Sequence, residues 1–134
     1  MIGLVVATHG VLGEALLNTA GMIIGPLAQA CALSLSQGDS AETMRDLLAR
    51  TIGEIDQGDG VLVMVDMFGG TPANIGMTLL APGHVEVLTG VNLPMLLKFV
   101  TYRERYPLPE LAELLMGRAR EGIVLASEAL SRQA

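Results

Sequence analysis

The sequence predicts an α/β fold: a doubly wound, mainly parallel sheet with helices on both faces and a late edge strand, for which the common strand order 2-1-3-4 is expected. Three observations carry the fold class. Short apolar runs at Ile2–Ala7, Ala30–Leu35, Val61–Val65 and Val85–Leu88 are nearly free of polar residues, as strands covered on both faces must be. Between these runs the apolar residues recur at helical spacing, which gives the β-α-β-α-β-α-β order of parallel strands joined by crossover helices. Finally, 134 residues that are 51% hydrophobic suffice for a core, and with two Phe, two Tyr and no Trp that core must be aliphatic.

The elements follow in order. Ile2–Ala7 has no basic flank and runs straight into Thr8-His9-Gly10, so it reads as a strand and not as a signal peptide. Leu12, Ala15, Leu16, Thr19, Met22 and Ile23 share one helical face, predicted to be the buried one, and that helix ends near Gly25-Pro26. The second strand carries Cys31, the single cysteine, which reads as a small buried hydrophobe and rules out an internal disulfide. Met44, Leu47, Leu48, Thr51, Ile52 and Ile55 form the next stripe, opposite Glu42, Arg45, Asp46, Arg50 and Glu54. Asp39 with Glu42 resembles a capping box at its start, and Gly58 lies just past its end. A third helix is predicted from Pro72 with Thr71 as N-cap, two more over Leu93 to about Tyr102 and Pro109 to Arg120, and a last edge strand over Ile123–Ala126.

Eight basic against fourteen acidic residues disfavour a nucleic-acid partner, which requires clustered positive charge. No run approaches the ~18 apolar residues of a membrane helix, so a cytoplasmic location is expected. No His or Cys cluster has metal-ligand spacing, and neither a metal nor a cofactor is predicted.

In a doubly wound sheet, functional loops gather beyond the carboxyl ends of the strands. Those ends are Thr8-His9-Gly10, Ser36-Gln37-Gly38-Asp39, Asp66-Met67-Phe68-Gly69-Gly70-Thr71 and Thr89-Gly90-Val91-Asn92. Apart from Asp39, His9 and Asp66 are the ionisable groups there. If the first and third strands are neighbours, about 4.8 Å apart, Asp66 can bond one nitrogen of His9 and leave the other as a nucleophile. Gly69-Gly70-Thr71-Pro72 then joins a strand to a helix and offers backbone N–H groups to a small anion, with Gly70 expected in a positive-φ turn. No polyphosphate motif occurs. These residues suit a transient phosphohistidine, and they also leave open a small hydrolase using Thr71 or Thr8, or a plain binding module.

At these positions the sequence resembles the mannose-type IIA domain (mannose/fructose/sorbose superfamily) of the bacterial phosphoenolpyruvate:sugar phosphotransferase system. The resemblance runs nearly end to end. It rests on Ala7-Thr8-His9-Gly10, Gly38-Asp39-Ser40-Ala41-Glu42-Thr43, Val65-Asp66-Met67-Phe68-Gly69-Gly70-Thr71-Pro72-Ala73-Asn74, Gly90-Val91-Asn92-Leu93-Pro94-Met95-Leu96 and Arg120-Glu121-Gly122. The third block is similar to the family's D-x-[aromatic]-G-G-[ST]-P-x-N segment, with Phe68 where tryptophan often stands. A related subunit of dihydroxyacetone kinases lacks that arrangement.

The resemblance implies that His9 is phosphorylated, that Asp66 orients its ring, and that Gly69, Gly70 and Thr71 bind the phosphoryl group. It implies HPr as donor, a IIB component as acceptor, and contact with a membrane only through a transporter complex. It further implies a homodimer that exchanges the late strand, antiparallel in the family; in contrast to many relatives, the chain is expected to be a single IIA domain over residues 1–134 without a IIB domain. A regulatory module controlled by the phosphorylation state of His9 is the alternative. Met67 and Phe68 are the expected partner surface, with Met77 and Met95 favoured as core, and His84 is expected to be a solvated loop residue at the far end of the sheet.

Overall fold

The structure, a computed structural model, describes residues 1–35 and 38–133; the predicted loop residues Ser36 and Gln37 lie outside them. Strands β1 (Gly3–Thr8), β2 (Ala30–Ser34), β3 (Val61–Val65) and β4 (Val85–Thr89) form one four-stranded sheet in the order β2-β1-β3-β4, and every neighbouring pair is parallel. Helices α1 (Leu12–Ile24), α2 (Ala41–Ile55), α3 (Thr71–Met77), α4 (Leu93–Tyr102), α5 (Leu108–Glu121) and α6 (Ala126–Gln133) complete the chain.

The two central strands are buried along their whole length, as their unbroken apolar character requires. Their side chains alternate between two cores. Leu4, Val6, Leu62 and Met64 face α4 and α5, with Phe99, Leu111 and Leu115 filling that side. Val5, Ala7, Val63 and Val65 face Met44, Leu48 and Ile52 of α2 and Ala73 and Ile75 of α3. Cys31 is only half-buried on the edge strand β2; burial, and secondarily Glu54, push its thiol pKa up, away from the reactive thiolate.

Four local expectations are corrected. The stripe predicted to bury α1 points outward: Leu12 is 47% exposed, Met22 86% and Ile23 56%. The helix docks instead through the small residues Gly13 and Ala20, flanked by the half-buried Leu16 and Leu17. A Cβ on Gly13 would lie 2.8 Å from the Val6 carbonyl oxygen, so close approach, and not apolar bulk, chooses the buried face. The N-cap of α2 is Ser40, which accepts from the Thr43 amide at 3.0 Å, and not Asp39. The N-cap of α3 is Gly70, which makes Thr71 the first helical residue.

The fourth correction concerns the late edge strand. Among the described residues no strand forms over Ile123–Ala126: Ile123, Val124 and Leu125 are 78%, 63% and 63% exposed, and Ala126 opens α6. The sheet is therefore wholly parallel. The apolar residues are present, but the segment is not paired with any strand here, and without such pairing it does not form a strand.

At the amino end of the sheet, Arg103 is 5% exposed and lies just past α4. Its guanidinium donates to the carbonyls of Ile2, of Ala28 (2.7 Å) and of Gln29 (3.2 Å), and lies 4.6 Å from the centre of the Phe99 ring. It ties the entries of β1 and β2 to α4. Replacing it with Met keeps the packed stem but takes this donor from the Ile2 and Ala28 carbonyls, while the Gln29 carbonyl keeps its bond from the Leu4 amide (3.1 Å). Arg103→Met should therefore lower the unfolding free energy in urea by at least about 2 kcal/mol, since each unsatisfied buried group costs ~1–3 kcal/mol. A change within the ~0.5 kcal/mol of ordinary surface substitutions would show that these bonds add nothing net.

Candidate active site at the carboxyl edge of the sheet

Because β1 and β3 are adjacent, with Ala7 level with Val65, the residues that follow each strand emerge side by side. The loop after β1 presents His9, and Gly10 turns it with φ +54°. The loop after β3 presents Asp66. A single carboxylate oxygen, Asp66 Oδ2, accepts from the His9 backbone N–H at 3.0 Å and lies 2.7 Å from His9 Nδ1. The second oxygen, Oδ1, accepts from the Met67 amide at 3.1 Å. The carboxylate is thus held from both sides, and it holds the imidazole.

Its charge state follows from these contacts. Burial alone would raise the Asp66 carboxyl, but the hydrogen bonds from the His9 ring and backbone, together with the proximity of the ring, outweigh it and hold the group below the ordinary aspartate range. An ionised Asp66 only accepts, so Nδ1 carries the proton of the neutral ring and Nε2 keeps its lone pair. The carboxylate is 12% exposed and the imidazole 38%, so a largely buried anchor sits beneath an accessible ring.

The Gly69-Gly70 turn stands against that ring. A Cβ on Gly70 would lie 2.9 Å from His9 Cε1 and 3.6 Å from Nε2. The expected positive φ is at Gly69 (+86°); Gly70 has φ −86°, so its glycine is required by the space the imidazole takes and not by a left-handed backbone. Of the four helices that leave this edge, three have a side-chain oxygen on a first-turn amide. Thr8 accepts from Gly13 N in α1 (2.8 Å), Ser40 from Thr43 N in α2 (3.0 Å), and Asn92 from Met95 N in α4 (2.9 Å). Helix α3, which starts at Thr71, has no side-chain cap.

Met67 and Phe68 are 54% and 71% exposed beside the pair. Phe68 also forms the lip of a groove of about 370 Å³ that runs along the free edge of β4, lined by Met77, Met95, Met116 and Ile123 among others. Met95 is in the core at 2% exposure, whereas Met77 is 37% exposed. His84 is exposed, and its carbonyl accepts from Val61 N at the start of β3, so it sits at the opposite end from His9. Sequence reasoning missed Val11 and Leu12, which are 70% and 47% exposed on the loop of His9. It also gave no structural role to Thr8, the one polar side chain in β1, although a hydroxyl ending an otherwise apolar strand was a legible signal. Among the described residues no group of three or more His, Cys, Asp or Glu side chains is placed to hold a metal, and no helix is long and apolar enough to cross a membrane.

Residues 3–116 match the EIIA-man family, PTS system fructose IIA component. Among curated relatives, the PTS system mannose-specific EIIAB component of Escherichia coli is 35% identical over 124 residues; the match takes in 91% of this chain but only 38% of that protein. The PTS system fructose-specific EIIA component of Bacillus subtilis is 30% identical over 133 residues, covering 98% of this chain and 91% of that one. Among solved structures, the phosphotransferase system component EIIA from Streptococcus agalactiae superimposes with a TM-score of 0.86 at 27% identity, over 96% of this chain and 99% of that chain. The chain belongs to the family of mannose-type IIA components of the sugar phosphotransferase system.

Proposed function

We propose that this chain is a phosphocarrier that receives a phosphoryl group from phosphorylated HPr on Nε2 of His9 and passes it to a IIB component during sugar uptake. The observation that carries this reading is the division of the imidazole: Nδ1 is committed to Asp66 Oδ2 at 2.7 Å, and Nε2 faces the Gly69-Gly70 turn. In the forward step the Nε2 lone pair forms a bond to phosphorus while the bond from phosphorus to the donor breaks. The ring becomes cationic as its lone pair is used, and the Asp66 carboxylate stabilises that charge through Nδ1–H. The amides of Gly69, Gly70 and Thr71, the Thr71 hydroxyl and the uncapped start of α3 accommodate the phosphoryl oxygens. Transfer to the acceptor reverses the same events.

Met67 and Phe68 form the partner surface in this reading, since both are exposed and flank the nucleophile. The chain acts in the cytoplasm and reaches the membrane through its acceptor. It works as a homodimer, in which the exposed Ile123-Val124-Leu125 segment pairs along the free edge of a partner's β4. The groove on that edge and the unpaired apolar segment support this arrangement.

Three experiments test the proposal. Incubation with phosphoenolpyruvate, enzyme I and HPr should place one acid-labile phosphate per chain. Mass spectrometry should find it in the His84→Ala variant and not in His9→Ala; label that survives loss of His9 overturns the assignment.

Asp66→Asn should fold and slow single-turnover transfer from phosphorylated HPr by roughly 10²–10⁴-fold. Because the folded Asp66 carboxyl lies below its unfolded value, its ionised form stabilises the fold at every pH above the ordinary aspartate range. The stability advantage of wild type over Asp66→Asn should be lost as pH falls below the ordinary aspartate range and through the lower, folded value. An advantage that persists unchanged through that acidic range contradicts a carboxylate held ionised by His9.

Gly70→Val should abolish transfer by displacing the imidazole, whereas Thr71→Val, which removes one donor, should slow it by the equivalent of ~1–3 kcal/mol. Transfer assays on both variants, with circular dichroism to confirm folding, decide between a backbone cradle and a catalytic hydroxyl. Normal transfer by Gly70→Val with a dead Thr71→Val supports the hydroxyl.

A further inference from the structure

We infer that Thr8 is a positioning residue for His9, acting through the amide of Gly13; its effect on transfer rests on the phosphocarrier reading, its effect on the imidazole does not. Thr8 ends β1 and is wholly buried, in a strand whose other residues are glycine or aliphatic. A hydroxyl there is costly unless it is bonded, and its Oγ1 accepts from Gly13 N–H at 2.8 Å. The backbone of Thr8 is fixed as well, since its carbonyl accepts from the Leu35 amide at 3.0 Å.

The consequence is a closed loop. His9, Gly10, Val11 and Leu12 leave the sheet at Thr8, and the next residue, Gly13, is tied back to the same Thr8. Val11, the N-cap of α1, supplies no side-chain bond, although its carbonyl accepts from the Ala15 amide at 3.0 Å, so the Thr8 hydroxyl is the side chain that ties the first turn to the sheet. Gly13 belongs to the device: a Cβ on it would sit 3.3 Å from Thr8 Oγ1 and 2.8 Å from Val6 O. His9 must satisfy two bonds to one oxygen at once, from its backbone N–H and from Nδ1. A loop of four residues anchored at both ends meets that demand; one free at its helical end lets the ring turn away and lose its fixed tautomer.

A cap that only stabilised α1 would lower the melting temperature without touching the ring, so the test reads the ring directly. In the unphosphorylated protein, the ¹⁵N shifts of the His9 imidazole should report a protonated Nδ1 and a bare Nε2 in wild type and in Thr8→Ser. In Thr8→Val the two shifts should move toward each other, and HPr-dependent transfer should fall about 10–10²-fold, as for a misplaced reacting group. Ile52→Val, a core change on the opposite face, should lower stability and leave the shifts alone. Wild-type amide exchange adds a measurement that needs no variant to fold: His9 and Gly13 should open together, with the same protection. Wild-type shifts in Thr8→Val, an equal change in Ile52→Val, or His9 exchanging independently of Gly13 overturns the inference. If wild type takes no phosphate from HPr, the phosphocarrier reading fails, and the shifts still judge Thr8.

Discussion

The parallel pairing of β1 with β3 is the constraint on which the rest of the molecule depends. It places the strand that ends in His9 beside the strand that ends in Asp66, and it buries both strands between two helical layers. Once those strands are in register and the Thr8 hydroxyl holds the start of α1, the carboxylate meets both the backbone and the ring of the histidine. The geometry of the pair is therefore a property of the sheet and of the loop it anchors. Edge strands β2 and β4 are half-buried and supply the flanks.

A second feature of the edge is what surrounds His9. Its neighbours are glycine, methionine, phenylalanine and threonine, and none of the described strand-end loops contributes a lysine or arginine. On the proposed function, the phosphoryl oxygens are held by backbone dipoles and hydroxyls with no lysine or arginine clamp. Such binding suits a group that must leave again, because a clamp strong enough to stabilise the loaded state would deepen the well from which the second transfer starts. Side-chain oxygens occupy the first turns of α1, α2 and α4, and α3 alone is left without one at this edge.

Much of this was legible in the sequence, and the failures share a physical origin. Strand positions follow from apolar runs, and the His9–Asp66 pair follows once the common order 2-1-3-4, which the sheet adopts, places the first and third strands side by side. The face of α1 was misread because periodicity weighs large apolar side chains, whereas this helix packs through Gly13 and Ala20, where the absence of bulk is what matters. The role of Gly70 was assigned to backbone torsion, although the neighbouring imidazole imposes it. The late strand was read from its apolar composition, but a strand also needs backbone pairing, and the segment runs into α6 without pairing with the edge of β4. Arg103 left no sequence signal, because its acceptors are main-chain carbonyls far away in the chain.

The Arg103 anchorage sits at the amino end of the sheet, a strand's length from the histidine. Groups so far apart, with no shared partner, contribute to free energy almost independently. On the proposed function, the molecule therefore separates durability from recognition: an exposed side chain at the carboxyl edge, such as Phe68, can change the surface offered to a partner without loosening the anchorage at the other end of the sheet.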